Sequence, residues 1–299
     1  MIITLDIFSG RSNPSWLLSQ KDINRLLERF SGRALTEAEA VDGVLGFRGL
    51  VVSSTSDEQL PGGMPANFRV GGLLPVDYVA PESASRALTA DESDEAVKWL
   101  LSTGQHAIGE DVLSHLEDTL EMRKRSLEIE APSELATEEK IWEEEGKLVA
   151  KAVCIIQNTP YNPAFWNAAG VIGKNNCYNY AMNYRSDTFA QPGRISGHPN
   201  NIMACANVAT AANWDGCKAT CSGSNKNVAL VIWPGQDYHW YRKHSNGFWG
   251  HKPGGTAARN TDSLNRVING ATLTPQNCAR GPYTIFCGYR YSPTGMKVR

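Results

Sequence analysis

The sequence predicts an α+β protein of two domains, and three observations lead to this class. Apolar residues recur at helical spacing in several segments of the first half, whereas short alternating runs bounded by turn residues dominate the end of the chain. A length of 299 residues is sufficient for two domains. A hydrophobic content of 41% with 20% charged residues is typical of a protein with a packed core.

The first domain is predicted over residues 1–131 as a small β-α-β unit followed by helices. Residues 2–8 and 41–54 have strand character, and residues 16–30 show helical spacing between them. Two or three further helices are expected, among them 91–102 and 111–127. Asp6 and Arg11 are assigned to a polar turn and a surface ion pair. The segments D-I-F-S-G-R-S-N-P-S-W and L-G-F-R-G-L resemble an N-terminal module of uncharacterised bacterial proteins, a resemblance that implies no activity.

An acidic amphipathic helix is predicted over residues 132–157 as the connection between the domains. Its first turns are rich in glutamate, which suits the positive end of the helix dipole. The second domain, residues 158–299, is expected to contain helices followed by an antiparallel sheet. Four runs predict its strands, at 228–233, 237–242, 248–251 and 283–291.

Cys177 is the candidate nucleophile of the second domain. Either Asn175 or Asn176 can cap a helix that begins at this cysteine. A thiol in the first helical turn lies at the positive end of the helix dipole, which favours the reactive thiolate. The backbone N–H of Cys177, with Asn176 or Asn175 as a second donor, is the predicted oxyanion hole.

His239 and His251 complete the predicted catalytic group. His239 lies on a predicted strand downstream of Cys177, where it can take the thiol proton. His251 follows 12 residues later, across a hairpin, and is the predicted orienting residue. Asp237, Asp262 and Asn260 remain alternatives for that role. The candidate substrate-binding residues are Tyr178, Arg194, Trp240 and Trp249.

The segment N-C-Y-N-Y-A at 176–181 is similar to the cysteine-bearing helix start of CHAP-type amidases. The order of helix cysteine, sheet histidine and a polar residue about a dozen positions later resembles the NlpC-type peptidases. The resemblance covers about residues 158–291 and implies a papain-like domain, in which the helix that carries the cysteine packs on an antiparallel sheet. The D-C-S-G pattern of the NlpC-type enzymes is absent.

These features predict a bacterial cysteine hydrolase, a thiol peptidase or amidase, that cleaves a peptide or peptidoglycan amide bond. The expected partner is therefore a peptide, protein or peptidoglycan substrate. Two alternatives stay open. One is an effector that modifies proteins as a transamidase or deamidase. The other is a non-enzymatic binding module in which Cys177 is one of several structural cysteines.

All seven cysteines lie in the second half of the chain. With Cys177 set apart as the nucleophile, the other six can form three disulfides or remain reduced. Cys205, Cys217 and Cys221 do not have a standard zinc-ligand spacing. No metal and no other cofactor is predicted.

Charge is unevenly distributed along the chain. From residue 151 onward there are 15 Lys and Arg against four Asp, or about +11, which leaves 14 against 27, or about −13, before it. Two halves of opposite charge are expected to dock on each other, or the basic half is expected to contact a polyanion. No nucleic-acid partner is predicted, because no recognised motif accompanies the charge.

The N-terminal residues predict a cytoplasmic protein. They contain no basic region and no cleavage site of a signal peptide, and no apolar stretch reaches the roughly 20 residues of a membrane span. Delivery outside the cell by a non-Sec route is the alternative.

Overall fold

A computed structural model describes residues 1–39, 41–55, 60–74, 87–126, 153–156, 158–222 and 225–299. These residues form a mixture of helices and antiparallel sheets, which confirms the predicted α+β class. The chain divides into two compact units. The predicted connecting helix at 132–157 lies largely outside the described residues, as does the predicted boundary near residue 132.

The first unit consists of Met1–Ile7, Asn13–Asp42 and Phe47–Glu134. Its five-stranded antiparallel sheet has the order β2-β1-β4-β5-β3. The strands are β1 (Ile2–Asp6), β2 (Ser15–Leu17), β3 (Thr36–Glu37), β4 (Gly49–Ser53) and β5 (Asn67–Val70). The helices are α1 (Gln20–Phe30), α2 (Ala90–Thr103) and α3 (Glu110–Ser126).

Caps and alternation explain these elements. The Ser19 hydroxyl accepts a hydrogen bond from the backbone of Asp22, and this cap explains why α1 begins at Gln20 rather than at the predicted residue 16. Residues 15–17 instead pair with β1 as an edge strand. In β1, Ile3 and Leu5 are fully buried, which is the period-2 pattern of a half-buried strand.

An ion-pair cluster is buried in the first unit. The Asp6 carboxylate accepts from Arg48 Nη2 at 2.7 Å and from Arg69 Nη1 at 3.0 Å. Burial by itself would raise the pKa of Asp6, but the two guanidinium groups lower it below its usual value. The expected surface role of Asp6 is therefore wrong, because this carboxylate lies inside the unit.

The second unit consists of Phe8–Ser12, Gly43–Gly46 and Leu135–Arg299. Its four-stranded antiparallel sheet has the order β8-β7-β6-β9. The strands are β6 (Val228–Trp233), β7 (Asp237–Lys243), β8 (Trp249–His251) and β9 (Ile285–Arg290), close to the predicted runs. The helices are α4 (Pro163–Asn167), α5 (Cys177–Ala181) and α6 (Cys205–Trp214).

Helices α5 and α6 pack on the sheet around β6, every residue of which is buried. Asp237 holds residues 9–11, which are distant in sequence, in this unit. Its carboxylate accepts hydrogen bonds from the backbone N–H groups of Ser9, Gly10 and Arg11 at 2.6–3.1 Å. The Tyr283 hydroxyl donates a fourth bond at 2.6 Å. Burial nevertheless raises the pKa of Asp237 above its usual value.

Two disulfides close the second unit. Cys154–Cys221 and Cys205–Cys287 join positions 67 and 82 residues apart. By the loop-closure argument each stabilises the unit by about 4 kcal/mol. Cys177, Cys217 and Cys278 are free and buried. Cys205 and Cys221 belong to different disulfides, so neither is a free thiol.

Candidate functional site

The helix that begins at Cys177 is capped by Asn176. The Asn176 side-chain oxygen accepts from the backbone of Tyr178 at 3.0 Å and of Asn179 at 3.1 Å, and the Asn176 N–H donates to the side-chain oxygen of Asn179 at 3.2 Å. The Asn176 amide donates to the carbonyls of Gly10 and Ala190 at 2.7 and 2.8 Å. Asn176 is fully buried, so these structural bonds oppose its predicted role in an oxyanion hole.

Asn175, the other predicted oxyanion donor, is also fully buried. Its side-chain amide donates to Asp187 Oδ1 at 2.7 Å and to the Val171 carbonyl at 3.2 Å. Its own carbonyl accepts from the Lys252 ammonium at 2.7 Å. Asn175 therefore holds Val171, Asp187 and Lys252 together next to the start of α5.

The thiol of Cys177 is enclosed in the core of the second unit. Its exposed fraction is 0%, and its Sγ lies 3.9 Å from the carbonyl oxygen of Tyr238. Burial raises the pKa of Cys177 well above its usual value, and the Asp237 carboxylate raises it further. The expected exposed thiolate is therefore wrong: desolvation outweighs the dipole of a helix of only five residues.

His239 and His251 are brought together as predicted for the two histidines. The Nε2 atom of His239 lies 2.8 Å from the Nδ1 atom of His251, and Nε2 of His251 lies 2.8 Å from the carbonyl oxygen of Thr261. Because a carbonyl only accepts, His251 carries its proton on Nε2, and His239 donates from Nε2 to the unprotonated Nδ1. Burial lowers the pKa of His251 to about 3, which keeps this ring neutral.

The residues of β7 divide between the two faces of the sheet. The Trp240 ring lies 5.8 Å from that of Tyr178, the residue after Cys177, and the Arg242 guanidinium donates to the Ala181 carbonyl of α5 at 2.8 Å. Even-numbered side chains of β7 therefore face α5. Because successive side chains of a strand alternate, the odd-numbered ones face away from it.

Tyr283 marks that other face. Its hydroxyl donates to Asp237, its ring lies 5.8 Å from the His239 ring, and the His239 ring lies 4.8 Å from that of Tyr241. Cys177 packs with Tyr238 and Trp240 on the α5 face. The structure thus joins His239 to His251, but both histidines lie on one face of β7 and Cys177 lies on the other. This arrangement does not form the predicted pair of thiol and imidazole.

The remaining predicted residues have structural surroundings. Asp262 accepts from the Arg266 guanidinium at 2.7 Å and from the backbone of Ala279 at 3.0 Å. Burial would raise the pKa of Asp262, but the Arg266 hydrogen bond lowers it below its usual value. Tyr178 and Trp240 are fully buried in the core, so neither is available to a substrate, whereas Arg194 is exposed.

Trp249 is the predicted binding residue that lines an open cavity. The cavity has a volume of ≈ 380 Å³ and is lined by Lys226, Lys243, Trp249, Thr274, Tyr289 and Tyr291, among others. Its other residues were not predicted. The sequence signal that could have identified Lys243 is the period-2 alternation of β7, which places this residue on the same face as His239 and Tyr241.

Neither a metal centre nor a membrane span is found in the part of the chain that the structure describes. No group of three or more His, Cys, Asp or Glu side chains in this part is arranged to hold a metal ion. Of the helices in the same part, none has the length and apolar character needed to cross a bilayer.

Fold and site together define a disulfide-bonded α+β protein with a buried thiol and a buried histidine pair. The chain is 43% identical over 143 residues to insoluble matrix shell protein 1 of Ruditapes philippinarum. The matched residues make up 47% of this chain and 92% of that protein. The chain therefore belongs to the family of this shell matrix protein. No family model matches the chain. No solved structure matches it significantly.

This relationship corrects the functional predictions. The predicted cysteine hydrolase is wrong, and with it the descriptions as peptidase, amidase and bacterial effector, because the relative is a matrix protein of a shell. The predicted cytoplasmic location is contradicted by the same relative. The sequence patterns were misleading because a cysteine at a helix start and a histidine on a strand serve packing as well as catalysis.

Proposed function

We propose that this chain is a non-catalytic structural module of an extracellular matrix. The observation that carries the proposal is its 43% identity to insoluble matrix shell protein 1 across 92% of that protein's length. Its partners are then matrix components that it binds without cleaving them. This is the non-enzymatic alternative, with structural cysteines, that the sequence left open.

The disulfides support this proposal. Cys154–Cys221 and Cys205–Cys287 tie distant positions of the second unit together, and disulfides form and persist in oxidising, extracellular surroundings. Cys205 belongs to α6 and Cys287 to β9, so the second of them fixes a helix to an edge strand of the sheet. A matrix protein benefits from such crosslinks because its fold must persist without chaperones.

The surroundings of Cys177 also support a structural role. A nucleophilic thiol is partly exposed and has a depressed pKa, whereas Cys177 is fully buried with a raised one. Its neighbours in the core are apolar and aromatic, including Tyr178, Met182 and Trp240. In this role Cys177 acts as a small hydrophobic side chain.

We infer in addition that the second unit retains a papain-like arrangement as a scaffold. Two features support this inference: α5 begins at Cys177, and it packs on β7 of an antiparallel sheet. The scaffold then presents surfaces to matrix partners, and the position that a nucleophile would hold is part of its core.

Fractionation of the source tissue tests the matrix proposal. Antibodies against the full chain should detect it in the extracellular fraction that resists extraction by detergent and salt. A cytosolic enzyme serves as a control for cell lysis during preparation. Recovery of the protein solely from the soluble cytosolic fraction would contradict the proposal.

A further inference from the structure

A groove lies at one end of the sheet in the second unit. Lys243 at the end of β7 pairs with Trp249 at the start of β8, and the Trp249 ring lies 5.3 Å from that of Tyr289 on β9. The strand register places these three side chains on the face that also carries Tyr241 and His251, away from α5. The result is a concave surface with an aromatic floor.

Polar groups border this floor. Lys226, Asn225 and Thr274 line the same cavity, whose volume of ≈ 380 Å³ is in the range of ~300–1,000 Å³ usual for ligand pockets. Lys226 is exposed and Lys243 partly exposed. Within the described residues, neither lysine has a carboxylate within ion-pair distance. Two ammonium groups are thus available to a ligand at the rim.

The charge of the second half of the chain, to which the groove belongs, favours a polyanion. From residue 151 onward the chain has 15 Lys and Arg but only four acids. Two of these acids, Asp237 and Asp262, are buried among hydrogen-bond donors of the chain itself. Asp215 likewise accepts from the Tyr178 hydroxyl at 2.9 Å, and Asp187 accepts from Asn175. A positive field of this kind attracts extended anionic chains.

We propose that this groove binds a segment of an anionic polysaccharide, a ligand class that rests on the matrix role proposed above. The partly exposed rings of Tyr289 and Tyr291 are suited to the apolar C–H faces of sugar rings, because aromatic faces carry negative charge density, and the Trp249 ring, which is only 4% exposed, packs against Tyr289 and supports it. Lys226 and Lys243 pair with carboxylate or sulfate groups of the chain. The exposed Asn225 side chain bonds to a sugar hydroxyl.

An acidic polypeptide is the competing ligand, and the aromatic floor argues against it. Carboxylate side chains need cations but gain little from a flat aromatic surface, whereas a sugar ring uses both features of the groove. A neutral polysaccharide, in turn, would leave the two lysines at the rim without a function. The combination of aromatic rings and ammonium groups therefore indicates a ligand with both rings and negative charges.

Calorimetric titration of the full, disulfide-bonded chain with a heparin oligosaccharide tests this proposal. The variant Lys226→Gln/Lys243→Gln should bind about tenfold more weakly, because two exposed ion pairs correspond to about that factor. The matched control, Lys174→Gln/Lys297→Gln, removes two exposed positive charges outside the groove and should change affinity less than about twofold. Equal losses in both double variants would overturn the proposal in favour of diffuse attraction.

The aromatic floor is tested with Tyr291→Leu, which keeps an apolar side chain but removes the flat ring. Its affinity for heparin should fall severalfold, while its affinity for poly-aspartate should stay weak and unchanged. Thermal unfolding of each variant shows whether it is folded. Tight binding of poly-aspartate that is lost in Lys226→Gln/Lys243→Gln and kept in Tyr291→Leu would identify an acidic protein ligand and overturn the proposal. So would equal binding of neutral dextran.

The outcome is separable from that of the matrix proposal. If the chain is found in the insoluble extracellular fraction but no variant of the groove alters heparin binding, the polysaccharide site is wrong and the matrix role stands. If the chain is cytosolic and the groove still binds heparin with the expected sensitivity, the matrix role is wrong.

Discussion

His239 donates a hydrogen bond from its Nε2 to the Nδ1 of His251 across 2.8 Å. His251 in turn donates from its Nε2 to the Thr261 carbonyl. Both rings are buried. This chain of bonds requires a neutral His251 with a proton on Nε2. It links β7, β8 and the loop that follows, so it is a structural element of the sheet whose strength depends on pH.

The protein should lose stability as pH falls below about 6.5. Burial lowers the pKa of His251 to about 3 and that of His244 to about 4, against 6.5 for each in the unfolded chain. Between the folded and unfolded pKa values the unfolded chain binds more protons than the folded chain does. The stability contributed by the neutral rings is therefore complete above pH 6.5 and is lost on acidification. At pH 5 the loss should be about 2 kcal/mol for each histidine.

Urea unfolding at pH 7.5 and pH 5 measures this loss. The variant His251→Gln should be less stable than the original chain at pH 7.5 but show a smaller change between the two pH values. A stability that is the same at both pH values would contradict the neutral, buried histidines.

Replacement of Cys177 by alanine should destabilise the protein by about 1–2 kcal/mol. The side chain is fully buried, so its removal leaves a small cavity. Chemical denaturation measures the loss, and Cys177→Ser should cost at least as much because it places a hydroxyl among apolar groups. No change in stability for either variant would show that the thiol has no packing role.

Asp237→Asn should loosen the segment Ser9–Arg11. The carboxylate accepts from three consecutive backbone N–H groups there and from Tyr283, and an amide would place a donor against those donors. We expect a loss of about 2–4 kcal/mol and faster hydrogen exchange at these three amides. The control is Asp187→Asn, since Asp187 is exposed and should cost far less. Unchanged exchange in Asp237→Asn would contradict this anchoring role.

Removal of the Cys205–Cys287 disulfide should cost about 4 kcal/mol, because the bond closes a separation of 82 residues. Cys205→Ala/Cys287→Ala is the test, measured by thermal unfolding. Cys278→Ala is the matched control, since Cys278 is a free, buried cysteine in the same unit. A double variant no less stable than the control would contradict a structural disulfide.

The strands of the second unit were predictable because their signals are local. The buried run Val228–Trp233 and the alternating run that starts at Asp237 both form strands, and Asn176 caps α5 as one of two expected residues. Edge strand β2 was missed because the apolar residues of 15–18 fit a helical spacing as well, and the cap at Ser19 decides between the two.

The arrangement of the candidate site was not predictable in the same way. Alternation shows that Asp237 and His239 share a face of β7, but it cannot show which face packs against α5. That face is set by tertiary contacts such as that of Trp240 with Tyr178. Six cysteines allow fifteen pairings, and sequence spacing does not select among them. The burial of Cys177, which decides between nucleophile and core residue, likewise depends on the packed structure.

Cysteine mapping by mass spectrometry, on protein isolated from its source and alkylated first in the native state and then after unfolding, tests the non-catalytic extracellular role most directly. The expected result is Cys154–Cys221 and Cys205–Cys287 as disulfides, with Cys177 alkylated only after unfolding. Rapid alkylation of native Cys177 at mildly acidic pH, with the other cysteines reduced, would contradict the account, because it requires an exposed thiolate in a reducing compartment.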